Sequence, residues 1–253
     1  MGEAVAVVRV ETEGRVRRLV LQRPEQLNAF TVDTYRQLRV ALGEATADDR
    51  VGAVVLAAEG RAFSAGADRS LVDGSAGREV MAEAAEEFPA VLAAIDACEL
   101  PVLAAVNGLA VGLGATILLH CDLVVMAESA RLRFPFTALG IVPEAGSSVL
   151  LPARGPWGAV AWALLSSEWV DAAEALRLGV AWRVVPDDRL DAEVAEAATT
   201  LAALDRDAVT ATKRLLVAGR AEAVAGALAR EGAEMGALLR ARRADPRPDE
   251  PDA

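Results

Sequence analysis

Two hydrophobic periods alternate along the first two thirds of the chain. Apolar segments at 5–10 and 16–21 flank Glu13-Gly14-Arg15 and predict two strands joined by a turn. Arg23-Pro24-Glu25 breaks that pattern, and Thr31 is placed to cap a helix carrying Tyr35, Leu38, Val40 and Leu42. The segment 51–58 is short and apolar throughout, as expected of a strand buried on both faces. Residues 78–97 return to helical spacing through Val80, Ala84, Phe88, Val91 and Ile95, with a kink expected at Pro89. Further strands are predicted at 102–106, 123–126 and 182–185, with helices at 112–120, 156–165 and 171–178. Strand–helix–strand alternation implies an α/β fold with a mainly parallel sheet.

From about residue 189 the pattern is helical and Ala-rich, without a strand candidate. Val224, Leu228, Met235 and Leu238 or Leu239 form one apolar stripe, which fits either the chain's own core or a neighbouring subunit. Residues 242–253 are rich in Pro and Asp and are expected to be disordered. The expected organisation is a core over 1–190, a helical region over 191–241 and a tail over 242–253.

Composition narrows the function classes. Hydrophobic residues make up 53% and aromatic residues only 4%, so small aliphatic side chains must fill the core. No apolar run reaches the roughly 18–20 residues needed to span a bilayer. The N-terminus has no basic segment followed by a long apolar one, so no signal peptide and no membrane association are expected. A net charge of -11 argues against nucleic-acid binding. Cys98 and Cys121 lack metal-ligand spacing and read as buried thiols of a cytoplasmic protein. His120, the sole histidine, sits in the apolar run Ile117-Leu118-Leu119-His120-Cys121 and reads first as a hydrogen-bonded core residue. No metal site is expected.

Candidate chemistry gathers at three turns. Asn107-Gly108-Leu109-Ala110-Val111-Gly112-Leu113-Gly114 follows a buried strand and opens a helix, whose first N–H groups lack internal partners. Gly112-Leu113-Gly114 fails the dinucleotide fingerprint because Ile117 stands where its third glycine belongs. A plain tight turn is the other reading. Arg61-Ala62-Phe63-Ser64-Ala65-Gly66-Ala67-Asp68 also follows a buried strand. Ser64 and Asp68 suit helix caps, and Gly66 between two alanines can expose the Ala67 N–H to a ligand. In Gly140-Ile141-Val142-Pro143-Glu144-Ala145-Gly146-Ser147-Ser148, a carboxylate stands among apolar residues. Desolvation there raises its pKa toward that of a base working near neutrality; a surface cap for the next helix is the alternative.

Arg23-Pro24-Glu25-Gln26-Leu27-Asn28-Ala29, the turn from Ser64 to Asp68, Ala104-Ala105-Val106-Asn107-Gly108, Cys121-Asp122 and Leu139-Gly140-Ile141-Val142-Pro143 together resemble the crotonase (enoyl-CoA hydratase/isomerase) superfamily over roughly residues 4–190. The resemblance implies a crotonase-like spiral of ββα units with a C-terminal helical trimerisation region. It implies an acyl-CoA thioester substrate, a homotrimer or a dimer of trimers, and no cofactor besides the coenzyme A of the substrate. It also implies an oxyanion hole from the backbone N–H groups of Ala67 and Leu113.

Where the hydratases of that superfamily carry two glutamates, this chain has Thr116 and Phe136. The setting of Glu144 resembles the peroxisomal type of Δ3,Δ2-enoyl-CoA isomerase, in which one glutamate is the base. Substrate-binding roles are expected for Arg23 and Arg61 at the coenzyme A phosphates, for Ala65, Gly66, Asp68 and Gly112 along the turns, and for Leu71, Phe136 and Ile141 as apolar walls. Lys213 and Arg214 are further candidates for the phosphates. The implied reaction moves the double bond of a 3-enoyl-CoA to the 2-position. Ring-type isomerases resembling the epoxyphenylacetyl-CoA enzymes, hydratases or hydrolases, and a non-catalytic acyl-CoA binder are the alternatives.

Overall fold

The computed structural model describes residues 6–244. Strands β1 (Val8–Glu13) and β2 (Val16–Leu21) form an antiparallel hairpin whose pairs run from Val8 with Leu21 to Glu13 with Val16. Gly14 turns the hairpin at φ 56°, in the left-handed region glycine favours. The first strand therefore lies further along than the expected 5–10: pairing to β2 carries it through polar Glu11, Thr12 and Glu13 at the sheet edge, and residue 5 lies outside the described residues.

Thr31 caps α1 (Val32–Ala47) as expected, in a reciprocal capping box with Thr34. Tyr35, Leu38 and Leu42 are buried on its inner face, whereas Val40 is exposed. Then follow β3 (Ala53–Ala58), β4 (Ala62–Ser64), the single turn α2 (Arg69–Val72) and α3 (Arg78–Ala97). Pro89 lies inside α3 without ending it. Burial of Val91, Leu92 and Ile95 and the ion pairs Arg36–Glu83 and Arg39–Glu87 hold α3 against α1 on both sides of Pro89.

The chain continues through β5 (Val102–Val106), β6 (Leu109–Val111) and α4 (Leu113–Thr116), which tightens into a 3-10 turn at Ile117–Leu119. The expected helix at 112–120 is thus two short segments, both fully buried. After β7 (Leu123–Ala127) and β8 (Arg131–Arg133) come α5 (Ser147–Leu150), α6 (Trp157–Ser166), β9 (Trp169–Asp171), α7 (Ala172–Arg177) and β10 (Arg183–Val185). Helices α8 (Leu190–Ala202) and α9 (Arg206–Ala244) end the described chain. Helix α9 thus takes in residues 242–244, the start of the tail expected to be disordered, and the rest of that tail lies outside the described residues.

Among the described residues the strands make two sheets, in the orders β1-β2-β3-β5-β7-β10 and β4-β6-β8-β9. Each of β3, β5 and β7 in the larger sheet is followed by a three-residue strand in the smaller one, and then by helix. This is the α/β spiral of ββα units expected from the resemblance. The smaller sheet was not foreseen, because three residues carry no period. Val54, Leu103, Ala104 and Val125 are fully enclosed in the larger sheet, as uniformly apolar parallel strands require.

Only the first part of the stripe on α9, at Val224 and Leu228, packs on the chain's own core. Val224, Ala227 and Glu231 are buried and Leu228 is partly covered, while Leu238 and Leu239 are exposed. Lys213 is also buried; its Nζ donates to the Leu100 carbonyl at 2.7 Å and pairs with Asp122 at 2.8 Å. It is therefore a strut between α9 and β5 and is not free to meet a phosphate. Replacing Lys213→Met should lower the unfolding free energy by about 2 kcal/mol, read by urea denaturation, because Asp122 and Leu100 lose a buried charged donor.

Candidate active site

Three glycines press the two predicted backbone turns together. A Cβ on Gly108 would lie 2.2 Å from the Arg61 carbonyl oxygen, one on Gly114 2.4 Å from that of Ser64, and one on Gly66 2.7 Å from that of Val111. No larger residue allows this approach. Gly66 sits at φ 91°, and Gly112, which precedes α4, at φ 53° and ψ −121°. The Leu113 N–H is then the first of α4, where a helix supplies no acceptor, and the Leu113 side chain points into the core.

The other donor is freed by a bridge. Phe30 donates its N–H to the Gly66 carbonyl at 2.7 Å and accepts the Asp68 N–H at 2.8 Å, which leaves the Ala67 N–H between them out of the pairing. A Cβ on Gly66 would lie 3.5 Å from the Leu113 nitrogen, so the two turns that carry these donors are in contact. The Arg23–Ala29 segment is the scaffold for this arrangement. Buried Asn28 donates to the Glu59 and Ala62 carbonyls at 2.8 Å each and accepts the Arg23 N–H, and Ser64 donates its hydroxyl to the Asn28 carbonyl.

Asp68 caps α2, accepting from the Ser70 N–H and hydroxyl, and pairs with Arg23 at 3.2 Å. Burial opposes its ionisation, yet the bonds from Ser70 and Arg23 hold its carboxyl below the usual range. Arg23 is thereby engaged within the turn and also donates to the Ala29 carbonyl. Arg61 is exposed at the surface, Ala65 is bonded through its N–H to the Leu27 carbonyl, and Leu71 is half-buried beside the core.

Glu144 lies in the loop before α5. Burial, and secondarily the negative charge of Glu231, raise its pKa from 4.5 to about 7. The loop is held at consecutive positions. Ser147 donates its hydroxyl and its N–H to the Glu144 carbonyl at 2.6 and 3.0 Å. His120 Nε2 meets the Ala145 carbonyl at 2.8 Å, and Ala145 is bent to φ 56°, unusual for an alanine. Glu231 Oε2 and Oε1 accept the Gly146 and Ser148 N–H groups at 2.8 and 2.9 Å. Behind His120, Nδ1 faces Asp96 at 3.0 Å and Asp96 pairs with Arg220 at 2.9 Å. Burial opposes ionisation of Asp96, but His120 and Arg220 hold its carboxyl below the usual range.

Tyr35 links the two halves of the site. Burial first, and then the charges of Glu144 and Asp68, push its phenol well above the usual range, so both carboxylates lie within electrostatic reach of one ring. The ring stacks on Phe30, the residue that bridges Ala67. Phe136 is buried, Ile141 donates its N–H to the Phe136 carbonyl at 2.8 Å, and Ile141 is half-buried. Thr116 is fully buried, with its hydroxyl 3.5 Å from the Leu113 carbonyl. Among the described residues no three His, Cys, Asp or Glu side chains gather as metal ligands.

Sequence reasoning missed Asn28, Tyr35 and Glu231 as parts of this arrangement. For Glu231 a signal existed: it falls on the apolar stripe between Leu228 and Met235, where a lone carboxylate must find buried donors.

The fold has counterparts among known proteins. The chain matches the enoyl-CoA hydratase/isomerase family model over residues 11–236 and belongs to that family, whose members act on acyl-CoA thioesters. It is 36% identical over 232 residues to a probable enoyl-CoA hydratase of Rhodobacter capsulatus, covering 91% of this chain and 89% of that one. It is 35% identical over 182 residues to the 1,2-epoxyphenylacetyl-CoA isomerase of Escherichia coli, covering 70% and 69%. A crystal structure of an enoyl-CoA hydratase/isomerase from Pseudoalteromonas atlantica superposes with a TM-score of 0.85 at 36% identity, covering 96% of this chain and 99% of that one.

Proposed function

We propose that the protein is an enoyl-CoA isomerase that moves the double bond of a 3-enoyl-CoA to the 2-position. The geometry that carries this reading is Glu144 in a loop held by His120, Ser147 and Glu231, where burial raises its carboxyl pKa, while the Ala67 N–H is left unpaired and the other carboxylate of the site, Asp68, is engaged by Ser70 and Arg23. The thioester oxygen accepts hydrogen bonds from the Ala67 and Leu113 N–H groups. Glu144 removes a proton from C2, and the negative charge that develops on the thioester oxygen is met by those two donors. Glu144 then returns the proton to C4. One base suffices because the proton stays within the substrate.

Thr116 and Phe136 favour this over hydration. Neither side chain acts as a general base, and hydration needs a second acid–base group to manage water. Leu71, Phe136 and Ile141 line the acyl pocket, with Ala65, Gly66, Asp68 and Gly112 forming the rim beside the thioester. Exposed Arg61 meets the coenzyme A phosphates; Arg23, engaged by Asp68, braces the rim. A second reading, isomerisation of a ring substrate, is favoured by the relationship to the 1,2-epoxyphenylacetyl-CoA isomerase.

The test is spectrophotometric. Wild-type protein given 3-hexenoyl-CoA should form the conjugated 2-enoyl thioester, and a Glu144→Ala variant should not. Binding of the ester without turnover would defeat the reading. Because the base must be ionised, kcat/KM should rise about tenfold per pH unit up to about 7 and level off above it. A profile flat from pH 5 to 8 would remove Glu144 from that role.

We also infer assembly into a trimer or a dimer of trimers. Trp157, Trp162 and Leu165 are 75%, 66% and 70% exposed, too much bulky apolar surface on one helix for a free face. Sedimentation at micromolar concentration should give about three or six chain masses; a monomer would overturn the inference. Among the described residues no helix is long and apolar enough to cross a membrane. Buried free thiols at Cys98 and Cys121 fit the cytoplasm.

A further inference from the structure

The apolar stripe of α9 carries one carboxylate inward. Glu231 is 8% exposed, and its two oxygens accept hydrogen bonds from the Gly146 and Ser148 N–H groups. Among the described residues no cation forms an ion pair with it. Two backbone donors satisfy its lone pairs without cancelling its charge, so a negative group stands buried behind the loop that carries Glu144.

We propose that Glu231 is a positioning residue for Glu144: it clamps residues 144–148 from the far side through two backbone N–H groups and sets a like charge behind the base. The inference rests on Glu144 being the base. The clamp has a mechanical reason. Ala145 is held in the left-handed region, which is unfavourable for a non-glycine residue, so that conformation persists only if neighbouring groups fix it. Glu231 fixes Gly146 and Ser148 on one side of Ala145, and His120 fixes the Ala145 carbonyl itself. With these contacts gone the loop relaxes and the carboxylate swings from its place.

The like charge has a chemical reason. A carboxylate with an ordinary pKa is too weak a base for a carbon acid, whereas one near the working pH combines ionisation with proton affinity. Burial and Glu231 act in the same direction on Glu144. The other titratable or charged groups around this loop include Tyr35 on α1, Asp68 in the turn after β4, His120 after α4 with Asp96 and Arg220 behind it, and Arg242 on α9, which donates to the Leu139 carbonyl at 2.8 Å upstream of the loop. The cations Arg220 and Arg154 are engaged by Asp96 or by the carbonyls of Leu119 and His120.

The experiment is a carbon-13 carboxyl titration of the full-length protein labelled at glutamate, Glu144 being identified as the resonance lost in Glu144→Gln. In wild type it should titrate at about 7. In Glu231→Gln it should titrate lower by on the order of one unit, while Glu231→Asp, which keeps the charge, should stay near wild type. An unchanged midpoint in Glu231→Gln overturns the proposal. The rate profile gives a second reading: the acidic limb of kcat/KM should move by the same amount, and at pH 9 kcat should fall about tenfold with KM unchanged. Should Glu231→Gln not fold, wild-type hydrogen exchange decides, since Gly146 and Ser148 amides that exchange as fast as open loop would also overturn it.

The titration needs no turnover, so the two ideas fail separately. A wild type inactive on 3-enoyl-CoA with a shifted midpoint removes the isomerase reading and keeps the clamp. An active wild type with no shift does the reverse.

Discussion

Glu144→Gln should lower kcat on a 3-enoyl-CoA by about 100- to 10,000-fold while leaving the affinity for the thioester nearly unchanged. Glutamine keeps the shape and cannot take a proton, so the loss falls on the chemical step. The same variant should be more stable than wild type at alkaline pH. In the folded chain Glu144 holds its proton up to about 7, against 4.5 for an unperturbed group. A raised carboxyl contributes stability that is fully present below about 4.5 and lost as pH rises through about 7. Glutamine never ionises and carries no such dependence. Melting temperatures of the two proteins should therefore diverge between pH 5 and pH 8, with the variant ahead at pH 8. Parallel melting curves across that range would mean that the carboxylate is not desolvated.

Gly114→Ala should damage both fold and rate. Its Cβ would stand 2.4 Å from the Ser64 carbonyl oxygen and 2.9 Å from the Ser64 Cβ, and the Ser64 backbone can yield only if β4 moves. Overpacking of this kind costs about 1–3 kcal/mol. What must move is β4 against α4, and these two elements carry the turns with the Ala67 and Leu113 N–H groups. Loss of one such donor costs about 100- to 1000-fold in rate. A variant that folds, melts lower and has lost two to three orders of magnitude in kcat would fit this account; one that folds and works normally would mean that the two turns can slide without cost.

The larger sheet was legible in the sequence because its strands are enclosed on both faces. The segments 102–106 and 16–21 have the bounds predicted, and 51–58 lost only two residues. Thr31 could be read as a cap because its side chain acts on the backbone three residues away. The smaller sheet could not be read. Its strands β4, β6, β8 and β9 have three residues each and owe their existence to neighbours far along the chain, such as Ala110 beside Leu132. That sheet nevertheless carries both oxyanion candidates. The glycines at 66, 112 and 114 marked the place, but only the structure gives the reasons: close contact with Val111 and Ser64 for Gly66 and Gly114, and a φ of 53° for Gly112. Glu144 was conspicuous as a carboxylate among apolar residues. Its surroundings were not, because Tyr35, His120 and Glu231 come from three separate helical segments.

The span of the chain joined at the Glu144 loop has a consequence for its synthesis. The bond from Gly146 to Glu231 closes 85 residues. A ribosome therefore completes both backbone donors and the loop itself well before α9 emerges. Over that interval the loop of Glu144 lacks its anchor on α9, so its final geometry is set only when the last helix docks.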